Sequence, residues 1–140
     1  MKFGRRFGID FGVARIGIAI CDPEGLVATP LTTLANDNNF WIEFRKLQNE
    51  YNATGVYLGN PKQLSGKSGT IESIVSDFAE RVAIEIGLPV TMVDERLSSK
   101  AAENKLHEMG ISEKESRGLV DQIAAAGILE LGISLEKKNG

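Results

Sequence analysis

The apolar residues of this chain change their period once, and that change limits the folds open to it. From Arg6 to Leu34 they follow strands: Phe7-Gly8-Ile9 leads into Asp10, and Arg15-Ile16-Gly17-Ile18-Ala19-Ile20 alternates small with β-branched residues, as in a strand with one tightly covered face. Asp22-Pro23-Glu24-Gly25 fits a type I turn, so a third strand from Leu26 to Leu34 should pair back antiparallel. Beyond Asn36-Asp37-Asn38-Asn39, a run of N-cap candidates, the period becomes helical, with Phe40, Trp41, Phe44, Leu47 and Tyr51 on one stripe. Gly55-Val56-Tyr57-Leu58-Gly59 reads as a strand and Asn60 to Gly69 as a loop. Ile71, Ile74, Val75, Phe78, Val82 and Ile86 mark a second helix stopped by Gly87, and Val90-Thr91-Met92-Val93 a strand ending at Asp94-Glu95. A helix capped by Ser98 or Ser99 should run to Gly110. A last helix should open on a Ser112/Glu115 capping box and reach about Leu131, leaving a frayed tail at Lys137-Lys138-Asn139-Gly140.

A strand meander followed by α–β alternation implies an α/β protein: one mixed sheet covered by helices on both faces, with ligand chemistry beyond the carboxyl ends of its strands. The 140 residues fit one domain, 1–140, at the usual prior of about 150 residues each. No apolar run approaches the roughly 18–20 residues of a membrane helix, and Lys2, Arg5 and Arg6 are followed by Asp10 before an apolar leader core can form. A single cysteine, Cys21, can make no internal disulfide, so the expected setting is the reducing cytoplasm. The net charge of −3, from 16 basic and 19 acidic residues, excludes nucleic-acid binding by bulk positive charge; such binding needs a local patch.

Three acids meet the strand-end rule or can be brought to it. Asp10 and Glu95 end strands, and Asp121 shares a helical stripe with Ala124, Ala125 and Ile128, whose small apolar side chains turn that stripe toward the sheet. Taken singly, Asp10 could simply terminate a strand, and Glu95 could pair with Arg96 or Lys100 at the surface. Asp121 has the weakest bland reading, because an Asp early in a helix is common but normally faces solvent rather than an alanine stripe. If the three converge, their repulsion requires a cation, and an all-oxygen donor set suits Mg²⁺ or Mn²⁺ rather than zinc. Hard metals held by carboxylates at a phosphodiester are the apparatus of nucleases.

Gly8-Ile9-Asp10-Phe11-Gly12 with Arg15-Ile16-Gly17-Ile18-Ala19, then Val93-Asp94-Glu95-Arg96-Leu97-Ser98, then Gly118-Leu119-Val120-Asp121 with Ala124-Ala125 and Ile128-Leu129, resembles the YqgF family of Holliday-junction-resolvase-like pre-16S rRNA nucleases. The likeness runs nearly end to end and includes Asp22-Pro23, Pro30-Leu31 and Gly59-Asn60-Pro61-Lys62. It implies a ribonuclease H-like fold with a five-stranded mixed sheet. It also implies a divalent-metal nuclease whose acids map onto Asp10, Glu95 and Asp121, and a role in maturing the 5′ end of small-subunit ribosomal RNA. The chain departs from the family pattern at Gln63-Leu64-Ser65-Gly66, where an Asn-Met-Asp-Gly-like turn is common.

Arg15, Lys62, Lys67, Arg96, Lys100 and Arg117 lie along the expected carboxylate rim and are the candidates for nucleic-acid contact, although each taken alone reads better as a solvated surface charge. Lys2, Arg5 and Arg6 either add to that field or solubilise the terminus. Cys21 and Trp41 read as packing residues and His107 as a surface residue. The expected partners are structured RNA, with branched DNA as the alternative, and pre-ribosomal particles; no membrane is implied and the oligomeric state is open. Rival functions are a true junction resolvase, which would need a dimer, a non-cleaving nucleic-acid-binding factor in transcription, and an actin-type phosphotransferase. The chain is too short for the two domains of the last.

Overall fold

The computed structural model describes residues 4–60, 70–94 and 113–139. In chain order these form β1 (Arg6–Phe11), β2 (Arg15–Cys21), β3 (Ala28–Ala35), α1 (Phe40–Tyr51), β4 (Gly55–Asn60), α2 (Thr70–Glu85), β5 (Val90–Asp94) and α3 (Glu113–Asn139). The strands make a five-stranded sheet in the order β3-β2-β1-β4-β5. β1 to β3 form the antiparallel meander, while β4 runs parallel to β1 and β5 parallel to β4. The helix expected between Ser98 and Gly110 lies outside the described residues.

The turn at Asp22-Pro23-Glu24-Gly25 forms as the sequence predicts: the Gly25 N–H donates to the Asp22 carbonyl at 3.0 Å, and Gly25 takes φ 69°, a value that suits glycine. The Asp22 carboxylate also accepts the N–H groups of Val27 at 2.7 Å and Leu26 at 2.8 Å, which hold its pKa below the ordinary carboxylate value. Those bonds take the two amides into the turn. β3 therefore begins at Ala28 rather than at Leu26, and Leu26 and Val27 stand exposed.

Strand alternation divides the core into two layers. Phe7, Ile9, Ile16, Ile18, Val56 and Leu58 face α1 and α2, where Phe7 packs edge-on to Phe44 with ring centres 5.0 Å apart. Ala19, Cys21, Tyr57 and Val93 face α3, against Ala125, Ile128 and Leu129. On this second face α3 lies directly on the sheet backbone. A Cβ added at Gly8 would stand 2.4 Å from the Ala125 carbonyl oxygen, and one at Gly17 only 2.1 Å from that of Asp121. The small residues of β1 and β2 are thus the seat of a helix.

α3 reaches Asn139, well past the expected end near Leu131, and the supposedly frayed tail is helical to that point. The cause is a tether the sequence does not reveal. Arg6, expected to belong to a charged terminus, is buried, and its Nε donates to Glu136 Oε2 at 3.1 Å, while Tyr57 Oη donates to the same carboxylate. Burial pulls the Arg6 pKa down, but the hydrogen bond and charge of Glu136 outweigh it and the net shift is upward. Burial, reinforced by Glu136, holds the Tyr57 hydroxyl above its ordinary range. Glu136→Ala should cost on the order of 3 kcal/mol in urea denaturation, because it strands a guanidinium whose side chain is only 6% exposed. A loss below about 1 kcal/mol would mean that Arg6 rehydrates and that the tether is dispensable.

Candidate nuclease site at the carboxyl end of the sheet

Because β1, β4 and β5 are parallel, their carboxyl ends lie together, and antiparallel β2 starts at the same end. Asp10, the penultimate residue of β1, is paired directly with Gly17 of β2. Opposed residues in an antiparallel pair project to the same face, and Gly17 faces α3, so the Asp10 side chain points to the α3 side. Counting two residues on from Gly8, which also faces α3, gives the same answer.

Asp121 sits on α3 over that point. The ideal Gly17 Cβ position is 2.9 Å from the Asp121 Cβ. With opposed Cβ atoms about 5 Å apart, the Cβ atoms of Asp10 and Asp121 are within roughly 8 Å of each other. Two carboxylates projecting from that separation can share one ion. The Asp121 side chain is 18% exposed, and its Oδ2 accepts a hydrogen bond from Arg15 Nε at 2.8 Å. Arg15, at the first position of β2, is itself half exposed.

The turn joining Asp10 to Arg15 is pinned from outside. Asn36 Nδ2 donates to the Gly12 carbonyl at 2.8 Å, and the Asn36 N–H to the Ala14 carbonyl at 3.0 Å. Sequence reasoning treats Asn36 only as one of several N-cap candidates. Its bracing role spans 24 residues and has no local signal.

Asp94, in register with Asn60 of β4, ends β5. Val93 packs on the α3 side, so Asp94 itself projects to the opposite face. Glu95 follows Asp94 directly but lies outside the described residues, as do Lys62, Lys67, Arg96, Lys100 and His107. Arg117 belongs to the early turns of α3, and its side chain likewise lies outside the described part. Of the nominated residues the structure therefore brings together Asp10, Asp121 and Arg15. Among the described residues, no three Asp, Glu, His or Cys side chains are grouped to hold a metal ion. Cys21 is buried and its Sγ accepts the Arg6 N–H at 3.2 Å, and Trp41 is buried against Phe78, with Arg81 over its ring at 4.5 Å. Both are packing residues, as their sequence context indicates. No helix among the described residues is long and apolar enough to cross a membrane.

Among solved structures, Thermus thermophilus RuvC in complex with a Holliday junction substrate matches with a TM-score of 0.58 at 15% identity, covering 96% of each chain. The fowlpox virus resolvase complexed with Holliday junction DNA matches at 0.51 and 16% identity, covering 97% of this chain and 99% of the other. These likenesses establish the resolvase-type, ribonuclease H-like fold. In sequence, a Mycobacterium sp. (strain JLS) protein named "Putative pre-16S rRNA nuclease" is 39% identical over 131 residues, covering 91% of this chain and 78% of its own. A Streptomyces avermitilis protein of the same name is 36% identical over 143 residues, covering 100% of this chain and 92% of its own. The family model described as RuvX, Holliday junction resolvase, matches residues 4–134. With its fold, its strand-end acid and the sequence match all pointing one way, the chain belongs to the RuvX (YqgF) family.

Proposed function

We propose that the protein is a divalent-metal-dependent, endonuclease-like hydrolase of phosphodiester bonds that processes the 5′ end of pre-16S ribosomal RNA in the cytoplasm, acting on structured RNA in pre-ribosomal particles. The observation that carries this reading is the projection of Asp10 and Asp121 to one side of the sheet's carboxyl end, in a chain of this family. Their oxygen-only donor set fits a hard divalent ion such as Mg²⁺ or Mn²⁺. Glu95 would supply the third carboxylate. β5, which ends one residue before Glu95, lies two strand spacings, roughly 10 Å, from β1.

A bound divalent ion supplies charge neutralisation at the phosphate and lowers the pKa of attacking water. Asp10, Asp121 and Glu95 would hold it, and the helix backbone pressed onto Gly17 would keep Asp121 from drifting relative to Asp10. Lys62, Lys67, Arg96, Lys100 and Arg117, with Arg15, would contact the phosphate backbone and give affinity with little sequence information. Lys62→Ala and Lys67→Ala should each make the plot of log affinity against log salt shallower by up to about one unit. An unchanged slope would return that lysine to the class of solvated charges.

A second reading, resolution of branched DNA, is favoured by the description of the matching family. Cleavage assays with and without Mg²⁺ or Mn²⁺ on single-stranded RNA, structured RNA and four-way DNA junctions separate the two. Metal-dependent cutting of structured RNA is expected. Cutting confined to junctions would replace the RNA reading, and no cutting of any substrate would favour a binding factor.

A further inference from the structure

The Arg15–Asp121 pair places a protein cation on the carboxylate that the proposed nuclease needs for its metal. We infer that Arg15 is a resident counter-ion that a divalent cation must displace from Asp121, and that the displaced guanidinium then becomes a phosphate contact of the metal-loaded protein. This inference rests on the metal-carboxylate reading given above.

Three features of the pair support a hand-off rather than a fixed strut. Asp121 is sheltered, with its side chain 18% exposed, whereas Arg15 is 48% exposed, so the guanidinium enters from the solvent side and can leave the same way. The contact is a single hydrogen bond, Nε to Oδ2 at 2.8 Å, from a half-exposed guanidinium, and ion pairs with one partner this open to water are weakly held. The base of the arm stays put, because Arg15 is paired with Ala35 in the sheet and the preceding turn is braced by Asn36. Only the side chain needs to move. Released, its fork of N–H donors suits a phosphate's oxygens, beside the acids that would hold the ion.

The pair also answers an electrostatic problem. Clustered carboxylates without a metal repel one another, and Arg15 cancels one of those charges until an ion arrives. Metal binding and phosphate binding are then reciprocally coupled, since each favours the state in which Arg15 has left Asp121.

The test follows the Arg15 side-chain Nε–H resonance, assigned with Arg15→Gln, during a titration with Mg²⁺ alone while calorimetry records binding. In the metal-free protein the signal should carry the chemical shift of a carboxylate-bonded Nε–H, and at saturation that of a solvent-bonded one. Asp121→Asn should show the released signature before any metal is added. In calorimetry, Arg15→Gln should bind Mg²⁺ about three- to fivefold more tightly, the size expected when one partly exposed ion pair no longer competes. Stopped-flow binding of a short single-stranded RNA, read ahead of cleavage, should give Arg15→Gln and wild type the same salt slope in chelator. In Mg²⁺ the variant's slope should be about one unit shallower. Mg²⁺ binding with an unmoved Arg15 resonance, or a slope difference already present in chelator, would overturn the hand-off while leaving the metal site intact. No Mg²⁺ or Mn²⁺ binding at all would overturn both.

Discussion

Asp10→Asn is expected to lower metal-dependent RNA cleavage by on the order of a thousandfold, the equivalent of about 4 kcal/mol of transition-state stabilisation, with the fold retained. Asp121→Asn and Glu95→Gln should do the same, and combining any two should add little, because ligands of one ion act as a unit. The substitutions keep side-chain size, so circular dichroism and urea melts in chelator should show the same cooperative fold as wild type. Asp121→Asn also gives up the ion pair with half-exposed Arg15, a cost of about 1 kcal/mol. Single-turnover cleavage on the same RNA decides the matter. Activity within tenfold of wild type in any one variant removes that residue from the site.

A second large effect should come from a residue with no chemistry of its own. Gly17→Ala puts a methyl group 2.1 Å from the Asp121 carbonyl oxygen, and the obstacle is helix backbone rather than a side chain that can rotate away. Either α3 lifts or β2 bends, at a cost of about 3 kcal/mol or more. Because the displaced residue is Asp121 itself, cleavage should fall roughly a hundredfold even at temperatures where the variant is folded, as expected for misplacement near 1 Å. Gly55→Ala is the control: its added methyl meets Pro89 at 3.7 Å, ordinary contact, at the far end of the parallel strands. Stability and rate measured on both variants should separate sharply. Equal behaviour would mean that α3 is not seated on Gly17.

The strands and the helices α1 and α2 were readable because their signals are local. Phe40, Phe44, Val75 and Val82 fall on helical stripes that the structure buries, and Gly87, with φ 80°, ends α2 as its position suggests. The alternation of small and β-branched residues in β2 even announced a tightly covered face. What covers it was not readable, since Gly17 and Asp121 meet only through tertiary packing. The same holds for charges whose partners are distant in sequence. Arg6 looks like a terminal solubilising residue until Glu136, 130 residues away, is brought beside it, and that contact also explains why α3 outruns its expected end. Arg15 reads as one of several rim cations, and only the fold pairs it with Asp121 across 106 residues. The site's acids, by contrast, carried local marks: Asp10 at a strand end before Phe11-Gly12, and Asp121 on an alanine stripe.

A divalent ion held by Asp10 at this end of the sheet binds only the folded state and must therefore stabilise it by RT ln(1 + [L]/Kd). At a hundredfold excess over Kd that is about 2.7 kcal/mol, or roughly 10 °C in melting temperature for a chain of this size. Thermal melts of wild type and Asp10→Asn, each in chelator and in excess Mg²⁺ or Mn²⁺ at fixed ionic strength, give the four midpoints required. The expected result is a rise of that size in wild type and loss of most of it in Asp10→Asn. Equal rises in both proteins, or none in wild type, would contradict the metal site and leave Asp10 a structural strand-end residue.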